Sequence, residues 1–392
     1  MDSGDSAWLM ASTALVLFMT LPGLALFYGG LVRASNVLSI FLQCFAITFV
    51  VSLLWFALGY SIAFGDGSAV WGGLGNAFLA GVGQDTLRGT IPENLFFLFQ
   101  MTFAIITPAL IIGAFAERVR FTFVIAFSCF WMLLVFCPIA YWVWGGGFLG
   151  DNGIWGETGV RDFAGGIVVH VTAGVAGLVL AIMIGRRIDT SQVPHNPGYA
   201  LIGAGMLWVG WFGFNGGSAL AANGTAASAL AVTHVAAVAG AVSWCLWEAL
   251  RTGKITLVGA ITGTIAGLAT ATPTAGYIHP VAGMISGGIA GIVCQEVQML
   301  LRARLKIDDS LDVFAVHGIG GSLGILLLAA LGIAPALAQV GSLVICIVWT
   351  VVMTYAIAQL LRGLMPMRVT PEEEVQGLDI AVHGERAYLL DS

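Results

Sequence analysis

Long apolar stretches broken by short polar punctuation run through almost the whole chain. Charge-free windows span Trp8–Val32, Ala34–Gly65, Leu95–Ala116, Phe121–Gly150 and Phe163–Gly185. Each is long enough for one helix, which needs about 20 apolar residues to cross the hydrocarbon of a bilayer. Three longer windows hold two helices each. Thr190–Trp247 breaks near Ala221-Ala222-Asn223-Gly224, Ile255–Gln295 at Thr272-Pro273-Thr274-Ala275-Gly276, and Val313–Leu361 at Gly332-Ile333-Ala334-Pro335. Those breaks have turn chemistry. Uninterrupted runs such as Leu178 to Ile184 lack the alternation over about 10 residues that a membrane strand needs. The pattern predicts an all-α integral membrane protein with eleven transmembrane helices in residues 1–366, the last at 337–362, and a tail over 367–392. The opening stretch reads as a true first span and not as a cleaved signal peptide, because it follows the acidic start Met1 to Asp5 and is too long.

Composition sharpens this. Of 392 residues, 58% are hydrophobic and 9% charged, which leaves too little polar surface for a soluble enzyme, a nucleic-acid binder or a disordered scaffold. Of the 15 basic residues, only Arg88 and Arg161 lie outside if the N-terminus is external; the opposite topology would invert the positive-inside rule at nearly every loop. The tail is then cytoplasmic, and its Pro371-Glu372-Glu373-Glu374 run is either a solvated end or a docking segment. The 6 cysteines lie in apolar runs without paired spacing, so neither disulfides nor a zinc site is expected.

Two local echoes suggest an inverted repeat of five plus five helices with one added. Phe27-Tyr28-Gly29-Gly30 matches Phe214-Asn215-Gly216-Gly217, and Asp162 precedes His170 by the same eight residues as Asp309 precedes His317. Glycines spaced by four, Gly259, Gly263, Gly267 and Gly283, Gly287, Gly291, predict closely packed helices.

Ionisable groups at membrane depth are expensive and mark candidate sites. His170 and His317 sit among valine, alanine and glycine, in corresponding places of the two halves. Two neutral imidazoles can hydrogen-bond each other and still offer polar edges to a small molecule; the alternative is interhelical glue. Asp162 is placed to cap the fifth helix, and a fixed anion there also favours a passing cation. Phe99 and Phe103 share a helix face, Trp211, Phe214 and Ser218 form a stripe on the sixth helix, and Trp144 ends the fourth. Aromatic faces attract cations and a hydroxyl accepts from N–H donors, though interfacial aromatics need no such role. A haem between histidines would need further ligands, which these surroundings do not offer, so no cofactor is expected.

Taken together, Trp144-Gly145-Gly146-Gly147, Asp162 to His170, Gly210 to Ser218 and Asp312 to Gly318 resemble the ammonium transporter (Amt/Mep/Rh) family, in its Amt branch. The likeness begins at Ala14 to Met19, passes through Ala116-Glu117-Arg118 and ends at Gly377-Leu378-Asp379 with His383-Gly384-Glu385. The resemblance implies a homotrimer in the cell membrane with one pore per subunit. It also implies that Phe103, Trp144 and Ser218 bind external ammonium, with Phe99 adding aromatic surface and Asp162 shaping the site. Phe103 and Phe214 would stack as a gate, and His170 and His317 would be twin pore histidines with Trp211 beside them. The implied cytoplasmic partner is a PII-type signalling protein. The expected function is ammonium transport with deprotonation and ammonia passage, with net charge movement; an electroneutral gas channel and an ammonium sensor are the alternatives.

Overall fold

A computed structural model describes residues 1–190 and 193–388. Its helices are α1 Ser3–Leu31, α2 Ala34–Phe64, α3 Glu93–Phe115, α4 Phe121–Val143, α5 Gly166–Ile184, α6 Pro197–Trp211, α7 Gly224–Thr252, α8 Leu257–Ala271, α9 Pro280–Leu305, α10 Phe314–Ala330 and α11 Ala336–Leu364. Eight of them are long and apolar enough to cross a membrane; α8 and α10 are apolar but shorter. Every predicted window therefore contains helix, and the three predicted internal breaks fall between α6 and α7, α8 and α9, and α10 and α11. The boundaries follow local chemistry. Asn196, Asn223 and Thr256 accept hydrogen bonds from backbone N–H groups in the first turns of α6, α7 and α8, Pro280 opens α9, and Gly253, at φ 73°, closes α7. A two-residue antiparallel pair, β1 Leu87–Arg88 with β2 Ile91–Pro92, folds the loop before α3.

Six of these helices contain turns of π-helix: Met19–Leu24 in α1, Trp55–Gly59 in α2, Met132–Phe136 in α4, Gly166–Val171 at the start of α5, Leu300–Leu305 at the end of α9 and Phe314–Ile319 at the start of α10. Another, Phe212–Gly216, continues α6. Wider i→i+5 turns of this kind re-aim side chains at functional sites. The predicted glycine rows do pack. Gly263 and Gly267 on α8, and Gly287 and Gly291 on α9, all lie against the Ala236–Trp244 stretch of α7, where an added methyl would meet backbone. At the centre, Gly174 of α5 crosses Gly318 of α10, bringing the two histidine-bearing helices together.

Beyond α11 the chain turns back under the helices as α12 Pro371–Gln376 and α13 Leu378–His383. Of the Pro371–Glu374 run, Pro371 and Glu372 are exposed while Glu374 is buried against the same chain. The buried Asp379 carboxylate accepts from Ser39 N at 2.7 Å and Leu38 N at 3.1 Å, so the tail caps α2. Arg33 reaches Glu374 O at 2.5 Å, and Arg368 pairs with Glu374 at 2.8 Å. Residues 389–392 of the predicted tail lie outside the described residues.

Behind this dock is a buried ionic cluster. Arg187 bridges Glu117 at 2.6 Å and Asp308 at 2.9 Å, and Arg118, fully buried, donates to Ser310 Oγ and to Asp308 O, each at 2.6 Å. Burial opposes ionisation of Glu117, yet the Arg187 charge and donors from Arg33 and Asn36 hold it below its usual range; Asp308 is held down in the same way by Arg187. Glu296, near the C-terminal end of α9, pairs with Arg251, whereas Glu248 accepts from Thr256 N at 3.0 Å at the start of α8.

Candidate functional site

Asp162 organises the head of α5. Its Oδ1 accepts from Gly165 N and Gly166 N at 2.9 and 2.6 Å, and its Oδ2 from Ile167 N and Val168 N at 2.8 and 3.2 Å. All four orphan donors at the head of α5 are thereby met by one carboxylate, and Gly165 supplies the left-handed φ of 111° that lets the chain fold over it. The Asp162 carbonyl in turn accepts from Trp144 Nε1 at 2.8 Å, which fixes the indole. Asp309 repeats the device at the head of α10, accepting from Val313 N at 3.0 Å and Phe314 N at 2.7 Å. Burial and the nearby Asp312 push the Asp309 carboxyl up to about 7.

Beside the Asp162 cap is a cavity of about 310 Å³, lined by Phe103, Trp144, Asp162 and Ser218 together with Gln100, Arg88, Arg161 and Tyr277. Ser218 Oγ donates to Phe214 O at 2.7 Å, so its proton is committed and its lone pairs remain as acceptors. The Phe103 and Phe214 rings close the floor, stacked at 4.2 Å between centroids and both fully buried. Phe99 is placed differently from the rest of its predicted group: it is fully buried behind Phe103, edge-on to it at 5.0 Å, and supports that ring without lining the cavity.

Below the stack is a narrow passage of about 10 Å³ with walls from Met19, Leu24, Phe27, Ile106, Leu110, Val169, Leu207, Trp211, Phe214 and Ile265. Among the described residues, His170 and His317 are its only titratable lining groups. Their Nδ1 atoms are 3.1 Å apart and their rings nearly parallel, with centroids at 5.1 Å. Trp211 stacks on His170 at 5.4 Å. Phe27 lines both this passage and a wider cavity of about 630 Å³ that opens among Arg186, Arg187, Arg302 and Lys306. The described residues thus hold an aromatic cup, a stacked pair, a narrow apolar constriction with two imidazoles and a wider cavity in sequence.

Sequence reasoning missed Gln100, Tyr277 and the Arg88 guanidinium, which lies 4.4 Å over the Phe96 ring at the rim. It also missed Thr272, read only as part of a turn, whose Oγ1 lies 3.2 Å from His170 Nε2 and 2.9 Å from Trp211 Nε1. A threonine in an apolar helix end carries no signal of this kind, because it usually bonds its own backbone. His234 is exposed against Trp208 at 5.2 Å, away from the passage. Among the described residues no group of three or more His, Cys, Asp or Glu is arranged to hold a metal.

Comparison with known proteins converges on one answer. The model of the Ammonium Transporter Family matches residues 7–388. The ammonium transporter of Bacillus subtilis is 44% identical, covering 99% of both chains, and that of Aquifex aeolicus is 41% identical over 100% of this chain and 94% of its own. A solved structure described as a sensor Amt protein superposes with a TM-score of 0.90 at 29% identity, covering 97% of this chain and 98% of that one. Its relatives are transporters and not enzymes, and by sequence and by fold the chain belongs to the ammonium transporter family.

Proposed function

We propose that this protein carries ammonium across the cell membrane by binding it in the outer cavity, removing its proton near the Phe103–Phe214 stack, and passing ammonia along His170 and His317. The observation that carries this reading is the buried imidazole pair, 3.1 Å apart, in an otherwise apolar constriction. Ammonium and potassium have similar size and charge, so fit alone does not separate them. Ammonium differs in two ways: it donates directional hydrogen bonds and it can lose a proton. The free lone pairs of Ser218 and the faces of Phe103 and Trp144 use the first difference. The apolar passage uses the second, since an ion there costs far more than a neutral molecule.

On this reading eleven helices span the membrane, α1–α5 and α6–α10 as inverted halves with α11 added, and residues 1–366 form the transport domain. The N-terminus is outside and 367–392 inside. The distribution of Lys and Arg, and the matching Asp162 and Asp309 caps, support that arrangement. The subunit works as a homotrimer, and its tail and inner loops meet a PII-type signalling protein. The proton follows through the histidines, so transport moves net charge. Replacing His170 and His317 together by apolar residues is expected to abolish ammonium uptake into proteoliposomes; full uptake by the double variant would refute the pore role.

A second reading is favoured by the likeness to the sensor Amt protein. A sensor binds ammonium at the same cup without sustained flux, and the docked tail carries the signal. Binding without translocation in the same proteoliposomes is its signature.

A further inference from the structure

We infer that Thr272 sets the proton polarity of the histidine pair, holding His170 as the Nε2–H tautomer and His317 as the Nδ1–H tautomer. The assignment follows from counting protons at one hydroxyl, and it rests on the pore reading above only for its effect on transport.

Thr272 caps the C-terminus of α8 and is fully buried. Its Oγ1 meets Leu268 O at 2.9 Å, Trp211 Nε1 at 2.9 Å and His170 Nε2 at 3.2 Å. A hydroxyl has one proton and two lone pairs. The indole N–H only donates, so it occupies one lone pair. The Leu268 carbonyl only accepts, and it is the nearer of the two remaining partners, so it takes the hydroxyl proton. What faces His170 Nε2 is then a lone pair, and that nitrogen must carry hydrogen to make the contact.

The rest is forced. A neutral imidazole carries a single proton, so His170 Nδ1 is bare and accepts. Its 3.1 Å contact with His317 Nδ1 needs one proton between the rings, and that proton belongs to His317. His317 Nε2 is left as the lone-pair nitrogen of the pair. The donor chain runs from His317 through His170 to Thr272, and the basic nitrogen lies on the ring farther from the Phe214 stack, because His170 is the ring beside Phe214 at 5.9 Å.

The fold holds the hydroxyl in register with both histidine helices. Pro273 O accepts from Phe163 N at 3.1 Å just ahead of α5, and the Pro273 ring fills the space that side chains at Gly166 of α5 and Gly324 of α10 would need. Thr272 is therefore a positioning residue: it touches His170 and Trp211 and orients the pair through them.

The test is solid-state nitrogen NMR of the full-length protein in bilayers, with labelled histidine and with the His170 ring assigned through its contact with labelled Trp211. The wild-type protein is expected to show His170 protonated at Nε2 and His317 at Nδ1. Thr272→Val should populate both arrangements and lower ammonium flux about tenfold, whereas Thr272→Ser should keep the wild-type spectrum and flux within about twofold. A wild-type spectrum with His170 protonated at Nδ1 overturns the inference, and so does a Thr272→Val spectrum identical to wild type. If the valine variant does not fold, the wild-type assignment decides alone. The spectrum reads tautomers whether or not the protein conducts, so a silent pore with the expected pattern would refute the transport reading and uphold the role of Thr272.

Discussion

At the scale of single residues, the same side chain can hold the fold and shape the site, and Asp162 does both. Its carboxylate satisfies four backbone donors, so Asp162→Ala leaves those buried N–H groups unpaired and is expected to cost at least about 2 kcal/mol. Thermal unfolding in detergent checks this, with Asp162→Asn predicted to fall between alanine and wild type. Ser218 makes the opposite case. Its proton is spent locally on Phe214 O, so Ser218→Ala removes only an acceptor facing the cavity and should weaken half-saturation for ammonium about fivefold with little change in melting. An unchanged half-saturation would remove Ser218 from the binding site. His170 and His317 were legible in the sequence because polar residues stand out in apolar runs, and Asp162 because it precedes a helix. Thr272 was not, since only its neighbours in space give it meaning, and the burial of Phe99 behind Phe103 likewise depends on how α3 meets α6.

Among elements, the windows of hydrophobicity foretold where helices lie but not how they turn. The π-turns carry Phe214, His170 and His317, and a pattern read at 3.6 residues per turn has no means of marking them. The stripe Trp211, Phe214, Ser218 nevertheless stayed together, with Trp211 and Phe214 both against His170. The tail is the other element whose fate was open, because charge alone does not distinguish a solvated end from a docked one. Asp379 is the clasp, so Asp379→Ala should release α12 and α13, seen as faster proteolysis within 371–388 and faster amide exchange there. Unaltered protection would mean that the clasp lies elsewhere. The cluster behind the dock has a pH signature. Glu117 and Asp308 are depressed below 4.5 and 3.8, so their contribution is complete above those values and lost as pH falls through the lower folded ones. Melting temperature is expected to hold through pH 5 and drop below about pH 4. In Arg187→Gln, which removes the cation holding both acids down, the folded values rise towards the unfolded ones, so melting should be lower at neutral pH and its acid drop shallower.

For the whole molecule, composition and the placement of Lys and Arg excluded soluble classes before any site was considered, and the motif set located the family, which the comparisons then established. Eight helices meet the length and hydropathy of a span on their own, while α8 and α10 are shorter than the windows that announced them, because turns and caps consume the ends. The paired echoes in the sequence correspond to a physical likeness, two acid-capped helices each delivering a histidine from its first turns to the same constriction. That convergence is what the function reading depends on, and its central claim is selective movement of ammonium with net charge. The most direct test is the transient current from the reconstituted protein on a solid-supported membrane after an ammonium jump, with potassium as control. A sustained ammonium-specific current whose decay shortens as protein density in the liposomes rises is the predicted result. A small current with density-independent decay would mean binding alone and would contradict the account.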